Sequence, residues 1–269
     1  MSLSSERFIF GWIRTLILSF ALLLSLKAQA QVRCQSVFQE TSGKEQDPLH
    51  NQNLFNLHFN ETLNQNSQSI EQMNLRTIQE LPTKLPPTKR VTSVSTQILK
   101  RVIQAFVTNP ILKKEYFGHY NQSSTEIGYC FGRALYAHLT LLKMGVDKTA
   151  IRKAWVVGPM EAGGISWSFH VATIVKGTDN QWYALDGILG GKAVPIQEWY
   201  SYFWKKNKAQ NLRLYITDPQ RFTPELSNYN RTQLGLQLSK EQDWYRGFFQ
   251  DLLQWFRDNP FESDNLDRL

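Results

Sequence analysis

Cysteine is scarce in this chain, with Cys34 and Cys130 the only two among 269 residues. That scarcity excludes a disulfide-stapled scaffold and leaves room for at most one intramolecular bridge. Cysteine-rich zinc sites are excluded with it. His50 and His58 lie in polar sequence without a neighbouring cysteine, so no metal site is expected. The chain also lacks a glycine-rich phosphate loop, a dinucleotide-binding glycine pattern, a heptad series and an internal repeat. No cofactor is expected. Lysine and arginine exceed aspartate and glutamate by 30 to 23, a formal net charge of +7, yet they are scattered rather than clustered. A nucleic-acid footprint is therefore absent. A long apolar run is missing as well. The twelve residues Thr15 to Leu26 fall short of the roughly 20 that a membrane-crossing helix needs.

That short run has another use. Arg7 and Arg14 precede it and Ala28-Gln29-Ala30 follows, which is the pattern of an export leader cleaved after Ala30. Arg33 rather than a small residue stands before Cys34, which speaks against a lipoprotein. Cleavage would leave 269 − 30 = 239 residues, and losing Arg7, Arg14, Lys27 and Glu6 takes the charge from +7 to +5. The expectation is a secreted or periplasmic protein with one substantial domain. In such an oxidising compartment a Cys34–Cys130 disulfide competes with a free, reactive Cys130.

From His50 to Glu80 there are seven Asn and five Gln among 31 residues, followed by the Pro-rich stretch Leu81 to Thr88 and the pair Lys89-Arg90. Residues 31–94 thus read as a polar N-terminal region or pro-segment, loosely packed, with one modest helix around Ile70 to Ile78. The catalytic domain is placed at 95–269, with a motif core at 125–200. Ile98, Leu99, Val102, Ile103, Phe106 and Val107 recur at helical spacing up to Asn109-Pro110, and a second helix is predicted from Ile127 to Met144, ended by Gly145. Ala154 to Val157, Ser166 to Val175, Trp182 to Asp186 and Leu212 to Thr217 read as strands, with a turn at Gly177 to Asn180. Ser239-x-x-Gln242 offers a capping box for a last helix carrying Trp244, Phe248, Leu252, Trp255 and Phe256. Helices first and adjacent strands afterwards predict an α+β domain. Asn60, Asn121 and Asn230 each begin an N-x-Ser/Thr acceptor sequence, meaningful only in a host that glycosylates exported proteins.

Three residues gather the chemistry. Cys130 falls near the start of the predicted second helix, where unpaired backbone N–H groups and the helix dipole favour thiolate. His170 lies mid-strand in Ser166 to Val175, where an imidazole needs partners for both nitrogens. Asp186 ends the next strand. A hairpin centred at 178.5 sets His170 opposite residue 187, and an adjustment of one residue reaches Asp186. His119 lies in loop-like sequence, and His138 is eight residues past Cys130, about 12 Å along the helix. Cys130 as nucleophile, His170 as base and Asp186 as orienting acid suit nucleophilic acyl transfer. The Cys130 N–H, with Gln122 as a second donor, would hold the oxyanion.

The strings Gly128-Tyr129-Cys130-Phe131-Gly132-Arg133-Ala134, Trp167-Ser168-Phe169-His170-Val171-Ala172 and Trp182-Tyr183-Ala184-Leu185-Asp186-Gly187, continuing to Pro195 to Trp199, resemble the bacterial protein-glutaminase family of the transglutaminase-like, papain-related superfamily. The resemblance covers about 75 residues. It implies a papain/transglutaminase-like core with a nucleophile helix packed on an antiparallel β-sheet, triad roles for Cys130, His170 and Asp186, glutamine-containing protein or peptide substrates, and a pro-region that blocks the cleft. Gly187 stands where that family often has proline, so the adjoining loop departs from it. A papain-like peptidase and a transglutaminase share the same triad and stay open, as does a non-catalytic exported binding protein that recognises partners through Trp199, Tyr200, Tyr202, Phe203 and Trp204.

Overall fold

Local capping starts the helices where the polar residues stand. Asn66 accepts from the Ser69 N–H at 2.8 Å and Ser95 from the Ile98 N–H at 3.3 Å, each satisfying an otherwise unpaired donor of a first turn. In the computed structural model the described residues are 48–112, 119–120, 130–162, 165–187, 189, 191–225, 228–243 and 245–259. They form α1 (Pro48–Thr62), α2 (Ser67–Gln79), α3 (Thr96–Thr108), α4 (Cys130–Lys143), β1 (Ile151–Ala162), β2 (Ile165–Lys176), β3 (Trp182–Leu185), β4 (Val194–Pro195), α5 (Ile196–Trp204), β5 (Arg213–Thr217) and α6 (Phe248–Asp258). No helix among them is long and apolar enough to cross a membrane.

The strands form one antiparallel sheet in the order β4-β3-β2-β1-β5. Alternation sorts the side chains. Trp155, Val157, Phe169, Val171, Val175 and Leu185 join the core that includes Phe131, Ala134 and Leu135 of α4. Ala154, Val156, Ala172, Ile174, Ala184 and Leu214 join a second core with Trp199, Tyr200 and Phe203 of α5. The expected α+β architecture, with the helix that carries Cys130 on an antiparallel sheet, is the one observed. A bulge interrupts β1 between Val157 and Met160. Gly158 sits there at φ +147°, where a Cβ would meet the Leu212 backbone at 3.2 Å.

Three expectations differ from the structure. The polar stretch before residue 81 forms two helices, and it is packed: Leu54, Phe55, His58, Ile70 and Asn74 are buried. Polarity there is absorbed by partners. Asn74 donates to the Leu212 carbonyl at 2.6 Å and to the Tyr200 hydroxyl at 3.0 Å, accepts from the Leu214 N–H at 2.9 Å, and meets the Arg213 guanidinium, which also donates to Glu61 at 2.7 Å. The last helix starts at Phe248 rather than at the Ser239 capping box. Arg246 and Gly247 adopt φ +49° and +82°, and the Asp243 carboxylate accepts from the N–H groups of Tyr245 and Gly247, so the chain turns before it can wind. Trp244 lies outside the described residues. The hairpin register, the third difference, decides the geometry of the site.

Candidate active site

β2 and β3 pair Thr173 with Leu185 and Lys176 with Trp182, which centres the hairpin on residue 179. Continuing that register sets Asp186 opposite Ala172, not opposite His170. The parity is even, so Asp186 and His170 share a face and reach each other diagonally. The His170 Nε2 donates to Asp186 Oδ2 at 2.6 Å, with both residues buried. That bond leaves Nδ1 for the sulfur of Cys130, with which His170 makes a side-chain hydrogen bond. β3 stops at Leu185, so among the described residues β2 has no strand partner on that side before Thr173. The start of α4 fills the space, and the Val171 N–H bonds the Cys130 sulfur.

Packing sets the height of α4. Thr173 Oγ1 donates to the Ala134 carbonyl at 2.6 Å, tying the helix to β2 one turn after the cysteine. Gly132 lets α6 come close, because a Cβ there would lie 2.1 Å from the Phe248 ring. The room that glycine leaves beside Cys130 is thus used by the C-terminal helix.

The electrostatics favour an ion pair. Burial pushes the Cys130 thiol up, but the hydrogen bond and charge of His170, the Arg133 guanidinium and the Val171 N–H outweigh it and hold the thiol below its ordinary 9.0. For His170, burial acts downward; the charge and hydrogen bond of Asp186, aided by Cys130, raise it to about 9. Burial alone would raise Asp186, whereas His170, Arg133 and the indole of Trp199 bring it to about 2. Imidazolium and carboxylate therefore coexist at neutral pH, and the Cys130 thiol is shifted toward thiolate. Such a thiolate can attack an electrophilic carbon, with a protonated imidazole beside it to serve the leaving group.

The structure brings together Cys130, His170 and Asp186. Gln122 and Cys34 lie outside the described residues, while Cys130 itself carries a free thiol. His138 is held elsewhere, with Nδ1 against the Tyr229 hydroxyl at 2.9 Å. Among the described residues no three His, Cys, Asp or Glu side chains converge to hold a metal ion. Of the aromatic residues considered as a recognition face, Trp199, Tyr200 and Phe203 are buried and fill the core under β2. Two of them touch the site: Trp199 Nε1 donates to Asp186 Oδ2 at 2.7 Å, and Phe203 stacks on the His170 ring with centroids 4.6 Å apart. Sequence reasoning missed this contact and the charge of Arg133. Their only signals were the i, i+4 spacing of Trp199 and Phe203 and the position of Arg133 one turn after Cys130.

Comparison with known proteins agrees with the motifs. A family model described as glutaminase matches residues 111–203, a segment that contains all three site residues. No curated protein matches the chain. Two solved structures match the chain at low identity. One is the NMR structure of protein-glutaminase from Chryseobacterium proteolyticum, with 16% identity over 54% of this chain and 85% of that one, and a TM-score of 0.37. The other is the crystal structure of a mutant of pro-protein-glutaminase, with 15% identity over 64% of this chain and 65% of that one, and a TM-score of 0.41.

Proposed function

We propose that the protein is an exported thiol amidohydrolase that deamidates glutamine side chains in protein or peptide substrates, a reading supported by the match of residues 111–203 to a family model described as glutaminase. The single observation that carries the reading is the buried chain of contacts from Cys130 through His170 to Asp186, closed by the 2.6 Å hydrogen bond. The Cys130 thiolate attacks the carboxamide carbon and forms a C–S bond. The tetrahedral oxyanion is assigned to the Cys130 N–H, with Gln122 as the second donor expected from the sequence. Imidazolium His170 passes its proton to the nitrogen as the C–N bond breaks, releasing ammonia and leaving a thioester. Neutral His170 then takes a proton from water, the hydroxide attacks the thioester, the C–S bond breaks, and glutamate leaves with thiolate and imidazolium restored.

Export with cleavage after Ala30 belongs to this proposal, as does a pro-segment within residues 31–94. The test is ammonia release from an intact glutamine-containing protein by the wild type and by Cys130→Ser. The expected result is release by the wild type alone, with no new chain termini and no cross-linked species. New termini would make the protein a peptidase, cross-links a transglutaminase, and equal release by both proteins would refute the thiol mechanism.

A further inference from the structure

The mechanism above leaves one close contact unused. Trp199 is fully buried on α5, and a buried indole N–H requires an acceptor. Its acceptor, at 2.7 Å, is Asp186 Oδ2, the same oxygen that takes the His170 Nε2 proton at 2.6 Å. The two donors come from different elements, β2 and α5, and converge on one atom. A carboxylate's terminal torsion is broad and nearly two-fold, so its orientation is set by the donors that hold it. Two donors on Oδ2 fixed in separate elements restrict that freedom. Phe203, four residues on and so on the same helix face, packs against Trp199 at 4.9 Å and lies nearly parallel to the imidazole at 27°. The pair walls the His170–Asp186 bond off from water, where a charge-assisted hydrogen bond is stronger than in solvent.

We propose that Trp199 is a positioning residue: its indole N–H locks the Asp186 carboxylate in the orientation that presents Oδ2 to His170, and through His170 it sustains the reactive thiolate of Cys130. The inference rests on the thiol-amidohydrolase reading above. It has a readout that does not depend on that reading, namely the pH at which the thiol becomes nucleophilic.

The experiment measures iodoacetamide alkylation of Cys130 against pH in the purified full-length protein, read by mass spectrometry of the peptide that contains it, together with the rate of ammonia release. Trp199→Phe removes the donor, and benzothienylalanine at position 199 removes it while preserving the bicyclic shape, so at least one protein retains the packing. Tyr200→Phe, the next residue on α5, deletes a buried hydroxyl that bonds Asn74 and serves as the structural control. Loss of the donor is expected to move the alkylation midpoint up by about one pH unit and to lower kcat about tenfold with KM unchanged. Tyr200→Phe should lower Tm and leave the midpoint in place. A wild-type midpoint in the benzothienylalanine protein would overturn the proposal, and so would an equal shift in Tyr200→Phe. A shifted midpoint in a protein whose wild type releases no ammonia would support the positioning role and refute the deamidase reading.

Discussion

Asp186→Asn removes a charge while nearly preserving shape, and its effect can be worked through the three coupled groups. In the wild type the carboxylate is the first of the influences that raise His170, to about 9, against a burial that lowers it. Without that charge His170 should fall to its ordinary 6.5 or below. The fall from about 9 to 6.5 is worth roughly 3 kcal/mol at about 1.4 kcal/mol per pH unit. The same loss is felt at Cys130, because the His170 hydrogen bond and charge are the largest influences that lower the thiol. The thiolate–imidazolium pair is thus disfavoured from both sides at neutral pH. The assay is kcat/KM for ammonia release across pH 4 to 10, with Cys130 alkylation followed over the same range. Wild type should be active from the lowered thiol value up to an alkaline limb near 9, where the imidazolium deprotonates. Asp186→Asn should lose on the order of 10²-fold at pH 7 and show its alkylation midpoint displaced upward. Stability follows the same linkage. The raised His170 contributes fully below 6.5 and loses its contribution through about 9; the depressed Asp186 contributes fully above 3.8 and loses its contribution through about 2. The Tm difference between wild type and variant should therefore be widest between about pH 4 and 6.5. An unchanged alkylation profile in Asp186→Asn would refute the coupling.

Three further perturbations test the frame around the site. Gly132→Ala would set a methyl group 2.1 Å from the Phe248 ring, so α6 must shift; a loss of about 2 to 3 kcal/mol in denaturant unfolding is expected, largely relieved by Phe248→Leu in the double variant, and additive losses would show that the two positions do not meet. Lys153 is completely buried, donates to the Arg221 carbonyl at 3.0 Å and lies 4.1 Å from the centre of the Phe131 ring, and burial pushes its ammonium well below 10.5. Folding therefore works against its protonation at neutral pH, and Lys153→Met should raise stability by about 1 to 2 kcal/mol at pH 7 with the gain fading toward pH 10; a lower Tm at pH 7 would contradict this. Asn74→Ala removes the side-chain acceptor shared by the buried Arg213 Nη1 and the Leu214 N–H, and should lower stability by about 3 kcal/mol in the same measurement, while a change under about 0.5 kcal/mol would refute the role of that network.

Some of this was legible in the chain and some was not, for physical reasons tied to distance along the sequence. Helical spacing from Ile98 to Phe106 and two-residue alternation from Ser166 to Val175 are local signals, and α3 and β2 follow them. Cys130 at a helix start, His170 within a strand and Asp186 at a strand end were legible on the same grounds. Register was not. A hairpin centred on 178.5 and one centred on 179 differ by half a residue, yet they exchange an odd sum for an even one and so decide whether Asp186 shares the face of His170. Turn chemistry settles it: Asn180 takes φ +68° and the Gly177 N–H donates to the Gln181 carbonyl at 2.7 Å, which closes the turn one residue later than Gly177 to Asn180 suggests.

The N-terminal helices fail to read from composition for a deeper reason. Asparagine and glutamine argue for a solvated segment only while their partners are water. Asn74 finds Arg213 across 139 residues and Glu61 finds the same guanidinium across 152, so the partner that makes each polar group buriable is invisible to any local window. The same separation conceals the support of the site. Trp199 looks like an ordinary core aromatic until the chain brings it within 2.7 Å of Asp186, 13 residues earlier. Its neighbour Tyr200 takes the opposite duty and bonds Asn74 of α2. One short helix, α5, therefore holds the Asp186 carboxylate through one residue and the N-terminal helices through the next. Deleting the Asn74 bond loosens α5 where it faces α2, while the two donors on Asp186 Oδ2 stay in place. Stability should fall further than the thiol's reactivity, and the opposite order should hold for Trp199.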